Sequence, residues 1–356
     1  MRTTASTPTR TGGVLAVHAH PDDETLSTGA LLATWAAAGL PATVVTCTRG
    51  ERGEVIGGRW APLEGDGAAL ARHREREIAA AAASLGATQL FLDTLPLPAD
   101  LAEVADGVAV AARDATSSPS ASGDPAAGGG AVGVRYQDSG MAWVGTGQAG
   151  AAAEVPAGAL VAVPLDVAAG RLAGLLRERR PDLVVTYEPG GGYGHPDHVR
   201  AHAITMRAVD LAVDAAARDD GWSPAVAWAV APVAALRAGY AALATDPAAR
   251  AVLAAASDDR RATREAPLTL PDPAGALPSV ATDAPVDLVV DALPVRDRVL
   301  AALRAHATQV QAVAPLDHPD AVACYALSNR VLAPVLPRES YVWAPDRAPA
   351  APLPLP

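Results

Sequence analysis

The chain has 356 residues, half of them hydrophobic and many of those alanine, with a formal net charge of −11. That length suits one large α/β domain or two smaller ones, and the acidic balance argues against nucleic acid or anionic membrane as a partner. The two cysteines, Cys47 and Cys324, lie in apolar runs and read as buried strand residues, which excludes a disulfide framework or a thiolate metal site.

The N-terminus (MRTTASTPTRTGG) is polar, and no apolar run is long enough to span a bilayer, so a cytoplasmic protein without a membrane partner is expected. GVLAVHAH (13–20) reads as a buried strand, followed by a helix through LSTGALLATWAAAG. ATVVTCT (42–48) is a second strand. A helix through GAALARHREREIAAAAASLG stops at Gly86, and TQLFLDTL (88–95) is a third strand. Strands separated by amphipathic helices predict a Rossmann-like α/β fold, a mostly parallel sheet with flanking helices.

Residues 112–160 are rich in Ala, Gly, Ser and Pro and read as a long, partly disordered surface loop, broken by RYQDSGM at 135–141. The alternation resumes with helix DVAAGRLAGLLRERR, strand DLVVTYE (182–188), a Gly-rich turn and a helix from about Asp197 to Ala217. Further on, AVAWAVAP and VDLVVDAL suit strands, and VRDRVLAALRAHATQVQA reads as one helix. The stretch between 240 and 285 reads as an irregular excursion, and the tail from about 345 as Pro-rich and frayed. This organisation predicts an α/β core over 1–220 and a C-terminal part, 221–356, that completes the fold and the pocket.

Two motifs carry the chemistry. His20-Pro21-Asp22-Asp23-Glu24 stands where the first strand ends. Tyr193-Gly194-His195-Pro196-Asp197-His198 follows strand DLVVTYE, with Pro196 suited to the first turn of a helix. Either motif alone reads equally well as a capped polar turn. Together they place three of the eight histidines, each beside an Asp, at the carboxyl ends of parallel strands, where open α/β sheets bind their ligands. A catalytic divalent ion takes three imidazole or carboxylate ligands and leaves a position for water. A further carboxylate nearby can accept that water's proton. His20 and Asp23 supply two ligands and Asp22 a candidate base, and His195 and His198 can both point toward the same carboxyl edge, so the metal is expected at the carboxyl ends of the strands.

The remaining histidines are weaker candidates. His18 shares a strand face with His20 and reads as a core residue. His202, four residues after His198, lacks the Glu of an HExxH arrangement. His73, His306 and His318 show no partner in sequence. The Gly-rich runs lack both G-x-G-x-x-G and a P-loop lysine, which argues against nucleotide binding, and no G-x-S-x-G is present.

VHAHPDDETLSTGALLA followed by GGYGHPDHV resembles the zinc-dependent de-N-acetylases of the PIG-L/LmbE-like family. VTCTRGERGEVIGGRW, RYQDSGM and LRAHATQV are similar to its mycothiol-pathway branch, which removes acetyl from N-acetylglucosaminyl-inositol (GlcNAc-Ins). The resemblance covers the sheet-forming parts of residues 13–200 well and the last third loosely. It implies one Zn2+ per subunit, Fe2+ being an alternative with similar ligands, and a small amino-sugar inositol as substrate. It implies His20, Asp23 and His198 as ligands, Asp22 as general base, and His195 as the histidine that steadies the oxyanion or assists the leaving amine. Tyr193 matches a mobile tyrosine that polarises the acetyl carbonyl, and Asp197 a residue that orients a histidine. Arg74, Asp138 and Met141 match positions lining the sugar and inositol pocket. Competing expectations are a mycothiol S-conjugate amidase, which shares both metal motifs, and a sugar-binding protein that has lost catalysis.

Overall fold

The computed structural model of the chain describes residues 12–98, 135–145, 148–217, 220–263 and 266–354. Chain order is β1 (Val14–His18), α1 (Asp23–Ala37), β2 (Ala42–Thr46), α2 (Gly67–Leu85) and β3 (Thr88–Phe91), then a hairpin of β4 (Met141–Gly145) and β5 (Gln148–Ala151). It continues through α3 (Leu165–Arg179), β6 (Leu183–Tyr187), α4 (Pro196–Ala216), β7 (Ala225–Pro232), α5 (Val233–Thr245), α6 (Pro247–Thr263), β8 (Ala281–Thr282), β9 (Leu288–Asp291) and α7 (Arg296–Ala305). Strands β10 (Gln311–His318), β11 (Ala321–Ala326), β12 (Leu332–Val335) and β13 (Arg338–Trp343) close the chain.

The main sheet runs β3-β2-β1-β6-β7-β13-β9, with β8 beside β7. Pairing is parallel from β3 through β7, and β13 enters antiparallel between β7 and β9. The period of two in each strand divides the core. Val14 and Ala16 of β1 join one apolar cluster with α1, α2 and α7; Leu15 and Val17 join the other, with α3 and α4. Being covered on both faces, the parallel strands need continuous apolar sequence rather than alternation, which is what VLAVH, ATVVT and LVVTY supply. The expected mostly parallel α/β sheet is therefore present.

Three stretches differ from the sequence reading. Residues 240–285 are not irregular throughout: α5 and α6 occupy 233–263, and Asp246 caps α6 by accepting from Ala248 N and Ala249 N at 2.8 and 3.1 Å, ahead of Pro247. The helix at 296 ends at Ala305, and Gln311 begins an antiparallel sheet of β10, β11 and β12. Within the expected loop, β4 and β5 pair as a hairpin, while its low-complexity part, 112–134, lies outside the described residues. Cys47, just past β2, and Cys324, in β11, are both buried free thiols. Among the described residues no helix is long and apolar enough to cross a membrane.

Candidate metal centre

Strand order reverses at β1, which has β2 on one side and β6 on the other. The carboxyl ends of β1 and β6 therefore border a crevice, the place where doubly wound sheets bind ligands. The HPDD segment leaves β1 there. After β6 the chain makes a short helical turn, Gly191–Gly194, and re-enters a helix at Pro196. Two glycines make that turn feasible. Gly191 and Gly194 have φ of 69° and 88°, and a Cβ on either would meet backbone atoms of Val199 or Ala149 at 2.8 Å. His195 caps α4, its Nδ1 accepting from Asp197 N at 3.1 Å.

Three side-chain atoms from these two segments converge. His20 Nδ1 is 3.3 Å from His198 Nε2, which is 3.3 Å from Asp23 Oδ2, and the third edge, Asp23 Oδ2 to His20 Nδ1, is 3.5 Å. Ligands bound at about 2.0–2.1 Å in a tetrahedron stand about 3.3–3.4 Å apart. The other ring nitrogens are committed elsewhere. His198 Nδ1 lies 3.0 Å from the carbonyl oxygen of Gly191, an acceptor only, so Nδ1 carries the proton and Nε2 a lone pair. His20 Nε2 lies 3.2 Å from Asp197 Oδ2, so a cation that replaced the second proton favoured on this ring by Asp138, Asp197 and Asp23 would meet the Nδ1 lone pair. Three converging lone pairs repel one another unless a cation lies between them, so this donor set fits a divalent ion. Two wider groups share His20, one with His195 and His198 and one with Asp138 and Asp197.

Neighbouring groups fix these donors. The Tyr187 hydroxyl donates to Asp23 Oδ2 at 2.7 Å and accepts from Ala19 N at 2.8 Å, and its ring stacks on His198. Asp197 accepts from both the backbone N–H and the hydroxyl of Ser139. Asp22 is buried beside them with φ at 99°, a value costly for a residue with a Cβ. Its N–H donates to Glu24 Oε2 at 3.1 Å, and its carbonyl accepts from Thr25 and Leu26 at 3.0 Å. Burial, then the adjacent Asp23 charge, pushes the Asp22 carboxyl up to about 7. Burial pushes His195 down to about 2, so its ring is neutral; with Nδ1 accepting, Nε2 carries its proton. Tyr193 stands edge-on to His198 at 5.0 Å and to His195 at 6.0 Å, and burial raises its pKa, keeping the hydroxyl protonated.

The expected pocket residues are placed unequally. Asp138 Oδ1 is 3.7 Å from His20 Nε2, at the centre itself. Arg74 is buried and donates to the carbonyls of Gly50 and Glu54 and to Thr308 Oγ1, its charge acting on Asp22. Met141 opens β4, paired with Ala151. His18 bonds Thr28 at 2.9 Å and His202 bonds the Tyr187 carbonyl at 2.8 Å, so neither turns to the centre.

A family model described as PIG-L, GlcNAc-PI de-N-acetylase, matches residues 15–209, which contain every residue of the two motifs. The chain belongs to the PIG-L family. Relatives within reach of this PIG-L member are named 1D-myo-inositol 2-acetamido-2-deoxy-alpha-D-glucopyranoside deacetylase. The one from Kineococcus radiotolerans is 40% identical over 329 residues, 92% of this chain and 76% of that protein. The one from Nocardia farcinica is 39% identical, covering 97% of this chain and 94% of its own, and the one from Rhodococcus erythropolis is 38% identical over 93% and 90%.

Four residues to which the sequence pattern gives no role stand around this PIG-L site: Tyr187, Ser139, Glu24 and His306. A tyrosine closing an otherwise aliphatic strand just ahead of the second motif was a usable signal for the first. His306 gave none, because its partner is Glu24, 282 residues away.

Proposed function

We propose that this chain is a zinc-dependent deacetylase that hydrolyses the N-acetyl group of 1D-myo-inositol 2-acetamido-2-deoxy-alpha-D-glucopyranoside (GlcNAc-Ins), giving GlcN-Ins and acetate in mycothiol biosynthesis. The observation that carries the reading is the His20–Asp23–His198 triangle with edges of 3.3–3.5 Å, together with the shared name of relatives matched over nearly their whole length. Imidazole and carboxylate donors suit zinc, and iron(II) as a second choice.

His20, Asp23 and His198 would hold a divalent ion, which would supply Lewis acidity toward the amide carbonyl and make a nearby water more acidic. Asp22 accepts the proton of the attacking water. As negative charge develops on the carbonyl oxygen, the Tyr193 hydroxyl and the His195 Nε2–H donate to it, each such donor being worth about 10²–10³ in rate. A neutral imidazole is a poor acid, so the proton taken by Asp22 is the one returned to the departing amine. Asp197, braced by Ser139, holds the His20 ring. Asp138, Arg74 and Met141 are assigned to the sugar side by the likeness to the family's pocket positions.

Amine release tests the reading, measured side by side on GlcNAc-Ins and on a mycothiol S-conjugate after chelation and again with zinc restored. Zinc-restored release mainly from GlcNAc-Ins is expected. Preference for the conjugate would reassign the substrate while keeping the metal chemistry, and release from neither would overturn the proposal.

A further inference from the structure

A second feature borders the same centre and differs from it in chemistry. Asp23, Tyr193 and His198 form one wall of a partly open cavity of about 300 Å³. Away from that wall its lining is mostly apolar, with Leu26, Leu236, Val280, Leu303, Tyr325 and Leu336, and Arg338 and Glu339 bring charge to one part of it. These come from α1, α5, α7, the segment before β8, β11 and the residue after β12, so the chamber is built by the C-terminal half closing over the carboxyl edge of the sheet. Asp22, Asp138, His195 and Asp197 are not among its walls. His20 divides the two environments. Its Nδ1 faces Asp23 and His198, which border the apolar chamber, while its Nε2 faces Asp138 and Asp197.

An amide seated with its carbonyl at the metal ligands has two substituents leading away from the carbonyl carbon. The polyhydroxylated amine belongs with the carboxylates and Arg74. The acyl group is then left to the apolar chamber. An acetyl methyl fills little of it: a dry cavity of about 150 Å³ accommodates benzene, so about 300 Å³ holds a chain several carbons longer than acetyl.

We infer that this cavity is an acyl-chain site, and that the enzyme hydrolyses N-acyl amino sugars whose acyl group has four to about eight carbons as well as the N-acetyl compound. The inference rests on the deacetylase reading, since the amide must be presented to the metal centre. The chemistry is unchanged. Water adds to the acyl carbon, the C–N bond breaks, the acyl group leaves as its carboxylate, and the amine leaves as ammonium with both of the water's protons, the first of them returned by Asp22. Burial of one more methylene lowers KM by about three- to four-fold while the chain still fits.

The test uses the zinc-loaded full chain with glucosaminyl-inositol carrying acetyl, butanoyl, hexanoyl or octanoyl groups, read as amine release. The expected result is a kcat/KM for hexanoyl equal to or above that for acetyl. Leu236→Trp and Leu336→Trp, made separately to narrow the chamber, are expected to lower hexanoyl kcat/KM at least ten-fold and acetyl less than two-fold. As a readout independent of turnover, octanoate should bind the unaltered protein at least ten-fold more tightly than acetate in calorimetry, with a negative heat-capacity change. Hydrolysis of acetyl with hexanoyl below a hundredth of it, and equal affinity for octanoate and acetate, would overturn the acyl site and leave the deacetylase reading standing. Hydrolysis of hexanoyl without acetyl would do the reverse, and hydrolysis of neither would overturn both.

Discussion

His306 Nε2 lies 2.7 Å from Glu24 Oε1, both side chains fully buried, and joins the C-terminal end of α7 to the first turn of α1. Glu24 Oε2 in turn receives the N–H of Asp22, whose left-handed backbone would otherwise be hard to sustain. The same C-terminal segment holds the motif at two more points. Gln309 donates to the Pro21 carbonyl, and Thr308 bonds both Glu77 oxygens and receives Arg74 Nε. The loop that presents Asp22, the proposed base, is thus secured by residues that follow it by almost 300 positions in the chain.

Removing one member of such a pair leaves a buried charge without its counterpart, a loss of about 3–5 kcal/mol. His306→Ala is therefore expected to lower unfolding free energy by that amount in denaturant titration and to reduce kcat along with it. Glu24→Gln keeps an acceptor for His306 and should lose less. A His306→Ala protein within about 1 kcal/mol of the parent would show that the contact is not needed.

Base and ligand are separable by experiment. Asp22→Asn preserves a residue type that tolerates positive φ, keeps the metal triangle, and removes the proton acceptor. Its turnover should fall by about 10²–10⁴ with one metal per chain retained. His20→Ala should lose metal and activity together. Elemental analysis of the two purified variants beside their amine-release rates checks the assignment, and metal loss from Asp22→Asn would contradict it.

Arg49 and Asp93 form a second buried ion pair, away from the ligands. Arg49 Nη1 bonds Asp93 Oδ2, which also accepts from Tyr136 N at 3.1 Å, and the guanidinium lies 3.9 Å over the Phe91 ring. Arg49 Nε also lies 3.2 Å from Glu75 Oε1, so Asp93→Ala leaves the guanidinium a partly exposed partner and should cost about 1–3 kcal/mol, whereas the double change Arg49→Met with Asp93→Leu should recover part of it, Glu75 keeping Arg135. Thermal unfolding of the single and double variants measures the difference; equal destabilisation would mean that the pair is not what matters.

The legible parts of this protein are the ones whose partners are local or repeat with a fixed period. VLAVH, ATVVT and LVVTY announce doubly covered strands because each residue must be apolar on whichever face it meets. The two histidine motifs announce the crevice because each follows such a strand, and the structure brings His20, Asp22, Asp23, Tyr193, His195, Asp197, His198 and Asp138 together there. What escaped depends on distant pairing. RESYVW becomes β13 only because β7 and β9 leave a gap for an antiparallel strand. LRAHATQV reads as continuing helix, since nothing within it tells that His306 must turn toward Glu24. The Ala-rich run at 233–263 hides two helices because alanine on all faces gives no period, although Asp246-Pro247 marked the start of the second.

Stability should also respond to pH through Glu339, in β13. Its carboxyl accepts from Ala30 N at 2.7 Å, Leu31 N at 2.8 Å and the Tyr341 hydroxyl at 2.7 Å, yet burial outweighs these bonds and pushes its pKa up to about 7. An unfolded chain releases this proton near 4.3. Between about 4.3 and 7 the folded state therefore binds more protons than the unfolded state, and the slope of unfolding free energy against pH from this group is negative. Stability is highest below that window, falls as pH rises through it, and levels off above 7, a total of at most about 4 kcal/mol. Glu339→Gln removes the titration while keeping one acceptor oxygen. The Tm of the variant minus that of the parent should thus rise by a few degrees from pH 5 to pH 7.5. A difference that stays flat over that range would mean that Glu339 ionises at its ordinary value and that the three donors outweigh its burial.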